Sequence, residues 1–146
     1  MYLHSYNFSK LNFGEEYVFD SEGPKGIFRI KVDFVCSSKR NICELRYGVL
    51  DLENKNIDQN FVIQNGDGEI IINTVFNITC DYAIHNPNSL IRFSGSTKSR
   101  TRLFTMWISK NIDIVQKKFT IYGYTNRDLW KPFKINKYYN SIALKN

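Results

Sequence analysis

The stretch IFRIKVDFV, residues 27–35, decides the fold class. Apolar side chains occupy every second position from Phe28 to Phe34, and charged side chains fill the positions between them. This alternation is typical of a β-strand with one buried face. A second alternating stretch follows at residues 42–50 after a short polar link, so the two stretches predict an antiparallel hairpin.

The chain on either side of this hairpin predicts further strands and two helices. The additional strands are predicted at residues 16–19, 90–93, 119–124 and 141–144. Apolar residues at helical spacing predict one helix from the turn at 64–69 to about His85 and another over 98–110, with a further helical turn at 112–118. The order βββ-α-β-α-ββ indicates an α+β fold, with a mainly antiparallel sheet of about six strands and two principal helices packed on it.

Length and composition favour one folded domain, residues 1–146, with 42% hydrophobic residues. The formal net charge is +6, from 20 Lys and Arg against 14 Asp and Glu. A basic chain favours an anionic partner such as nucleic acid, a phosphorylated ligand or an acidic protein. No apolar run approaches the ~20 residues that a membrane-spanning helix needs, so no membrane partner is predicted.

The cysteines and histidines give no metal or cofactor signature. Cys36, Cys43 and Cys80 form neither an even disulfide set nor a zinc-type cluster, and no signal peptide is evident at the start. We therefore predict a cytoplasmic protein with reduced cysteines, and a Cys36–Cys43 bridge is not favoured. His4 and His85 lack neighbours at metal-ligand spacing, so neither a metal nor a cofactor is expected.

The stretch SGSTKSRTRLF, residues 94–104, is the strongest candidate for a binding site. It places hydroxyl groups and cations where a strand turns into a helix, an arrangement with which proteins hold phosphate. The candidate phosphate-binding residues are Ser96, Thr97, Lys98, Ser99, Arg100 and Arg102. An alternative stays open: the hydroxyl groups cap the helix, and the arginines pair with Asp81, Glu44 or another acid.

Two other regions could bind an anion. The turn QNGDGE, residues 64–69, is glycine-rich, but Asp67 and Glu69 would repel phosphate, so a glycine turn with acidic caps is favoured. Aromatic residues alternate with cations near the end of the chain, and burial in the core is the favoured role for most of the rings. The residues left as an extension of a basic surface are Trp130, Lys131, Lys134 and Lys137.

Four motifs together resemble a family of small uncharacterised proteins from Bacteroidetes-type bacteria. They are SEGPKG (21–26), NGD (65–67), GSTKSRTRLF (95–104) and YG (122–123). The resemblance spans about residues 17–139 and implies no activity. Where that family has Tyr after Arg-Leu, this chain has Phe104, which excludes a general acid–base role at this position.

We expect a small cytoplasmic bacterial protein whose helix start binds a phosphate-bearing partner, with RNA favoured. A toxin-like member of a toxin–antitoxin or phage-defence pair is one context, in which an acidic antitoxin would be the protein partner. The order of elements also resembles the later part of an N-acetyltransferase fold, which implies an acyl-CoA enzyme. A non-catalytic module that docks on an acidic protein is the third hypothesis. Whether the protein is an enzyme stays open. If it is one, the expected chemistry is that of a metal-independent RNase or an acyltransferase.

Overall fold

The protein has an α+β fold with mostly antiparallel strand pairing. The computed structural model describes residues 3–37, 41–53, 55–58, 64–95, 97–125 and 129–146. Its strands are β1 (Ser9–Leu11), β2 (Glu16–Gly23), β3 (Gly26–Cys36), β4 (Ile42–Leu50), β5 (Ile57–Asp58), β6 (Leu90–Phe93), β7 (Thr120–Tyr124), β8 (Trp130–Pro132) and β9 (Ser141–Lys145). Its α-helices are α1 (Gly68–His85), α2 (Lys98–Lys110) and α3 (Ile112–Lys118).

The α+β class was predicted correctly, but the predicted number of elements was wrong. The described residues form nine strands rather than about six, and three α-helices, of which the third coincides with the helical turn predicted at 112–118 beside the two principal helices. The unpredicted strands β1, β5 and β8 are two or three residues long and mostly exposed, so they lack the apolar alternation by which the other strands were recognised. Among the described residues, no α-helix is long and apolar enough to span a membrane.

Contacts divide the chain into two compact units. The first comprises Met1–Val35 and Arg46–His85, and the second comprises Cys36–Leu45 and Asn86–Asn146. Strand β4 contributes its second half to the first unit and its first half to the second.

In the first unit, helix α1 packs on an antiparallel sheet. Strand β2 pairs with β1 and β3, while β5 pairs with β4. The alternation at residues 27–35 buries Ile30, Val32 and Phe34, and the Phe34 ring stacks on Tyr82 of α1 at 3.9 Å. Asp33 is also buried, and Arg46 neutralises it with two hydrogen bonds of 2.8 and 2.7 Å.

The second unit contains helices α2 and α3 and a group of strands with both parallel and antiparallel pairing. The first residues of β4 pair with β6 in parallel, and the antiparallel order continues through β9, β7 and β8. Phe104 of α2 packs against Phe93 of β6 with ring centroids 4.5 Å apart. The core of this unit therefore holds Phe104, which the sequence placed in the GSTKSRTRLF motif.

The structure corrects the prediction that all three cysteines are reduced. Cys36 at the end of β3 and Cys43 near the start of β4 form a disulfide, with their Cα atoms 3.9 Å apart. Strands β3 and β4 are neighbours, and this brings the two residues together on either side of a short link. Sequence spacing alone did not reveal how closely the strand ends approach each other.

A candidate cationic cleft along helix α2

The SGSTKSRTRLF motif forms a strand end, a turn and a capped helix start. Thr97 is the residue before α2, and its Oγ1 accepts a hydrogen bond of 3.2 Å from the backbone N–H of Arg100. Thr101 Oγ1 accepts a 2.9 Å bond from the N–H of Gly95. A Cβ atom at Gly95 would lie 2.7 Å from the Thr101 nitrogen, so only glycine allows the turn to approach the helix this closely.

The first turn of α2 carries cations and no acidic residue. The helix dipole disfavours positive charge at this end by about 0.3–1 kcal/mol for each exposed cation. Lys98 and Arg102 are both exposed. An anion bound beside Lys98, the first residue of the helix, would remove this unfavourable interaction, whereas helix stability alone would favour Asp or Glu in the first turn.

A cleft of about 830 Å³ runs along the exposed side of α2. It is lined by Lys98, Ser99, Arg102, Thr105, Met106, Ser109, Lys110, Ile135, Asn136, Lys137 and Tyr138. Four of these residues are cations, and none of the described lining residues is a carboxylate. The cleft thus combines positive charge with exposed apolar and aromatic side chains.

The wall opposite α2 is the segment from Ile135 to Tyr138, and the next residue, Tyr139, holds it in place. Tyr139 is only 1% exposed, and its ring lies on Gly123, where an added Cβ would come within 2.2 Å of the ring. The Tyr139 hydroxyl accepts a 2.9 Å bond from the N–H of Lys134. The N–H of Asn136 donates to Ser109 Oγ at 3.1 Å, which ties the segment directly to α2.

The cleft brings together only part of the predicted site. Lys98, Ser99, Arg102 and Lys137 line it. The other predicted residues are placed elsewhere: Thr97 caps α2, Arg100 is not among the lining residues, Trp130 and Lys131 lie on β8, and Lys134 bonds Tyr139 through its backbone. Ser96 lies outside the described residues.

Several lining residues were missed by the sequence analysis. Met106, Ser109 and Lys110 follow Arg102 at helical spacing, so a projection of α2 would have found them. Ile135 and Tyr138 carried no such signal, because their position depends on the burial of Tyr139.

The carboxylates considered as partners for the arginines are engaged with other cations. Glu44 accepts from Arg92 at 2.7 Å, and Asp81 pairs with Lys10 at 2.8 Å. No described residue forms an ion pair with Arg102. The capping role proposed for the hydroxyl groups therefore holds for Thr97, while Arg102 faces the cleft.

A family model described as "Family of unknown function (DUF6934)" matches residues 2–146. The chain belongs to this family. Comparisons with curated proteins and with solved structures found no match. The match agrees with the resemblance to an uncharacterised family, while the shared motifs and the bacterial range stay predictions.

In this DUF6934 protein the acidic turn before α1 holds the first unit together. Gly66 adopts a φ of 77°, as a tight turn requires, and Asn65 and Asp67 are buried. Asp67 Oδ2 accepts a 2.5 Å bond from Ser21 Oγ and a 2.6 Å bond from the Tyr6 hydroxyl. The structure has a glycine turn at Gly66, and protein side chains bond the Asp67 carboxylate beside it.

The contact that the structure gives for His85 is within its own helix. His85 lies in the last turn of α1, and its Nδ1 is 2.8 Å from the carbonyl oxygen of Asp81. Within the described ranges, no three His, Cys, Asp or Glu residues are placed to hold a metal ion.

Proposed function

We propose that the protein binds a phosphate-bearing ligand, with RNA favoured, in the cleft along α2. The observation that carries the proposal is the composition of the cleft: Lys98, Arg102, Lys110 and Lys137 line it, and no described carboxylate does. Clustered cations with no acid among them attract polyanions and make their binding dependent on salt.

The structure supports this proposal at two further points. Lys98 is the first residue of α2, where a bound anion would also interact favourably with the dipole, and Arg102 lies one turn further along. The exposed side chains of Met106 and Tyr138 offer contact area beyond the charges, as ligands with an apolar part require.

Filter binding of labelled RNA across salt concentrations tests the proposal. We expect affinity to fall as salt rises, because phosphate contacts release counterions. The double variant Lys98→Ala/Arg102→Ala should bind more weakly, and its slope of log affinity against log salt should be shallower by about 1.4 if each cation contacts one phosphate.

A matched control removes the same charge outside the cleft. Lys117 and Lys118 are exposed residues of α3 and do not line it, so Lys117→Ala/Lys118→Ala should keep most of the wild-type slope. Equal losses of RNA affinity in the two double variants would show only an effect of net charge. Absence of RNA binding by the wild type at low salt would reject the proposal.

The other functional hypotheses stay predictions. An acyl-CoA enzyme would need a turn able to receive pyrophosphate, and the turn before α1 instead carries the buried carboxylate of Asp67, bonded by Ser21 and Tyr6. An acidic protein, such as the antitoxin of a toxin-like protein, would suit the same cations. If the acidic protein and RNA compete for binding to the wild type, and both bind Lys98→Ala/Arg102→Ala more weakly, the two partners share this surface.

A further inference from the structure

The cations of α2 that line the cleft lie toward the two ends of the helix. The lining residues of this helix lie on one face: Lys98, Ser99, Arg102, Thr105, Met106, Ser109 and Lys110. With a rise of 1.5 Å per residue, Lys98 and Lys110 are about 18 Å apart along the axis, and Arg102 and Lys110 about 12 Å. The side chains between Arg102 and Lys110 that line the cleft are uncharged.

The uncharged middle of α2 faces a wall that carries exposed apolar side chains beside one cation, Lys137. Met106 on α2 is 58% exposed, and on the opposite wall Ile135 is 54% and Tyr138 45% exposed. Exposed apolar side chains gathered in one cleft mark a contact surface. A compact anion such as inorganic phosphate would engage one end of the cleft and leave this surface in contact with water.

The wall that carries Tyr138 is fixed before any ligand binds. Its neighbour Tyr139 is packed on Gly123, and Asn136 is hydrogen-bonded to Ser109 of α2. Asn136 adopts a φ of 62°, which Asn tolerates better than most residues, so the turn presents the next two side chains in a defined direction. A wall already in place lowers the entropic cost of binding.

We infer that the cleft takes a single-stranded stretch of RNA, with phosphates at its cationic ends and a base against Tyr138 and Met106. This inference rests on the proposed function and narrows its substrate class. In a single strand the phosphates are joined through riboses, from which flat uncharged bases project, so phosphates can meet the cations of α2 while a base meets the apolar side chains between them. A duplex hides the faces of its bases in the stack, so it could use the cations but not the apolar wall.

The test measures the affinity of three probes over one range of salt concentrations: a short RNA without self-pairing, the duplex formed with its complement, and inorganic polyphosphate. The wild type should bind the single strand most tightly. Tyr138→Ala should weaken binding of the single strand by about 5- to 140-fold, since one base stacked on an aromatic ring contributes about 1–3 kcal/mol. Its salt slope should stay at the wild-type value, because the tyrosine contacts no phosphate.

Two further variants separate stacking from folding. Tyr138→Phe keeps the ring and should retain most of the affinity. Phe13→Ala removes a fully exposed ring from the first unit and should bind like the wild type. Binding of the duplex or polyphosphate as tightly as the single strand, or wild-type affinity in Tyr138→Ala, would overturn the inference.

The outcomes also distinguish this inference from the proposed function. Equal binding of all three probes, with a slope still reduced in Lys98→Ala/Arg102→Ala, would reject single-strand selectivity and keep phosphate binding in the cleft. Failure of all three probes to bind at low salt would reject both.

Discussion

At the scale of single residues, four glycines, Gly23, Gly48, Gly95 and Gly123, lie where another part of the chain approaches too closely for a Cβ atom, and three of them fall in the sequence motifs. An added Cβ would meet the Asn65 backbone oxygen at Gly23, the Thr101 nitrogen at Gly95 and the Tyr139 ring at Gly123, at 2.0, 2.7 and 2.2 Å. All three belong to the motifs SEGPKG, GSTKSRTRLF and YG. Close packing therefore explains the glycines of these motifs. It does not explain their cationic residues.

Gly123→Ala tests the packing that positions the cleft wall. We expect a loss of about 1–3 kcal/mol in the free energy of unfolding, because the new methyl group overlaps the buried ring of Tyr139. Urea denaturation measures this loss. Displacement of Tyr139 should also disturb residues 134–138, so the variant should bind single-stranded RNA more weakly than its remaining folded fraction accounts for.

Gly68→Ala is the matched control for this prediction. Gly68 begins α1, and an added Cβ there meets nothing within 4 Å, so alanine should be neutral or stabilising by up to about 1 kcal/mol. A Gly123→Ala protein as stable as Gly68→Ala would contradict the packing described for Tyr139.

At the scale of elements, helix α1 is tied to the two strands at one edge of the first unit through Asp81. Its Oδ2 accepts from Lys10 of β1 at 2.8 Å and from the Tyr17 hydroxyl of β2 at 2.9 Å. Burial opposes ionisation of this carboxyl group, but the hydrogen bonds from Lys10 and Tyr17 and the charges of Lys10 and His85 outweigh it, so the pKa of Asp81 is lowered. Burial, followed by the bond to Asp81, raises the pKa of Tyr17.

The lowered pKa of Asp81 predicts a dependence of stability on acid. Because the folded pKa lies below the unfolded value of about 3.9, the contribution is fully present above that value and is lost as pH falls through the folded pKa. Thermal unfolding measured from about pH 6 to about pH 2 should therefore show a smaller acid-induced loss in Asp81→Asn than in the wild type.

Glu16 adds to this acid sensitivity in the wild type, since its hydrogen bond with Lys31 lowers its pKa. Asp81→Asn should thus reduce the loss without removing it. Asp113→Asn makes the same substitution at an exposed residue of α3 and serves as the control. Parallel pH profiles for wild type and Asp81→Asn would exclude the proposed role of this carboxylate.

The same elements show why the sequence predicted some features and missed others. Strands β3 and β4 and helix α2 have strong apolar periodicity, so their type and nearly all their boundaries were predicted. The short exposed strands have no such periodicity. Part of the α2 wall of the cleft was predicted, because residues on one helix face follow from spacing along the chain. The wall at Ile135 and Tyr138 depends instead on tertiary packing at Gly123, which no local pattern reveals.

At the scale of the whole molecule, the net charge of +6 favours every polyanion, and only the cleft can distinguish among them. A ligand that binds the folded chain alone stabilises it by mass action. Ligand-dependent melting therefore compares the RNA and acyl-CoA hypotheses in one measurement, without assuming that either reaction occurs.

We expect single-stranded RNA at about one hundred times its dissociation constant to stabilise the chain by ~2.7 kcal/mol, which raises the melting temperature by about 5–10 °C for a protein of this size. The shift should fall at the same RNA concentration in Lys98→Ala/Arg102→Ala and persist in Lys117→Ala/Lys118→Ala, because only the first pair lines the cleft. Acyl-CoA also carries phosphates, so any shift that arises from its binding in the cleft should likewise fall in Lys98→Ala/Arg102→Ala. A large shift with acyl-CoA that persists in Lys98→Ala/Arg102→Ala, with none from RNA, would favour the acyltransferase hypothesis over the cleft.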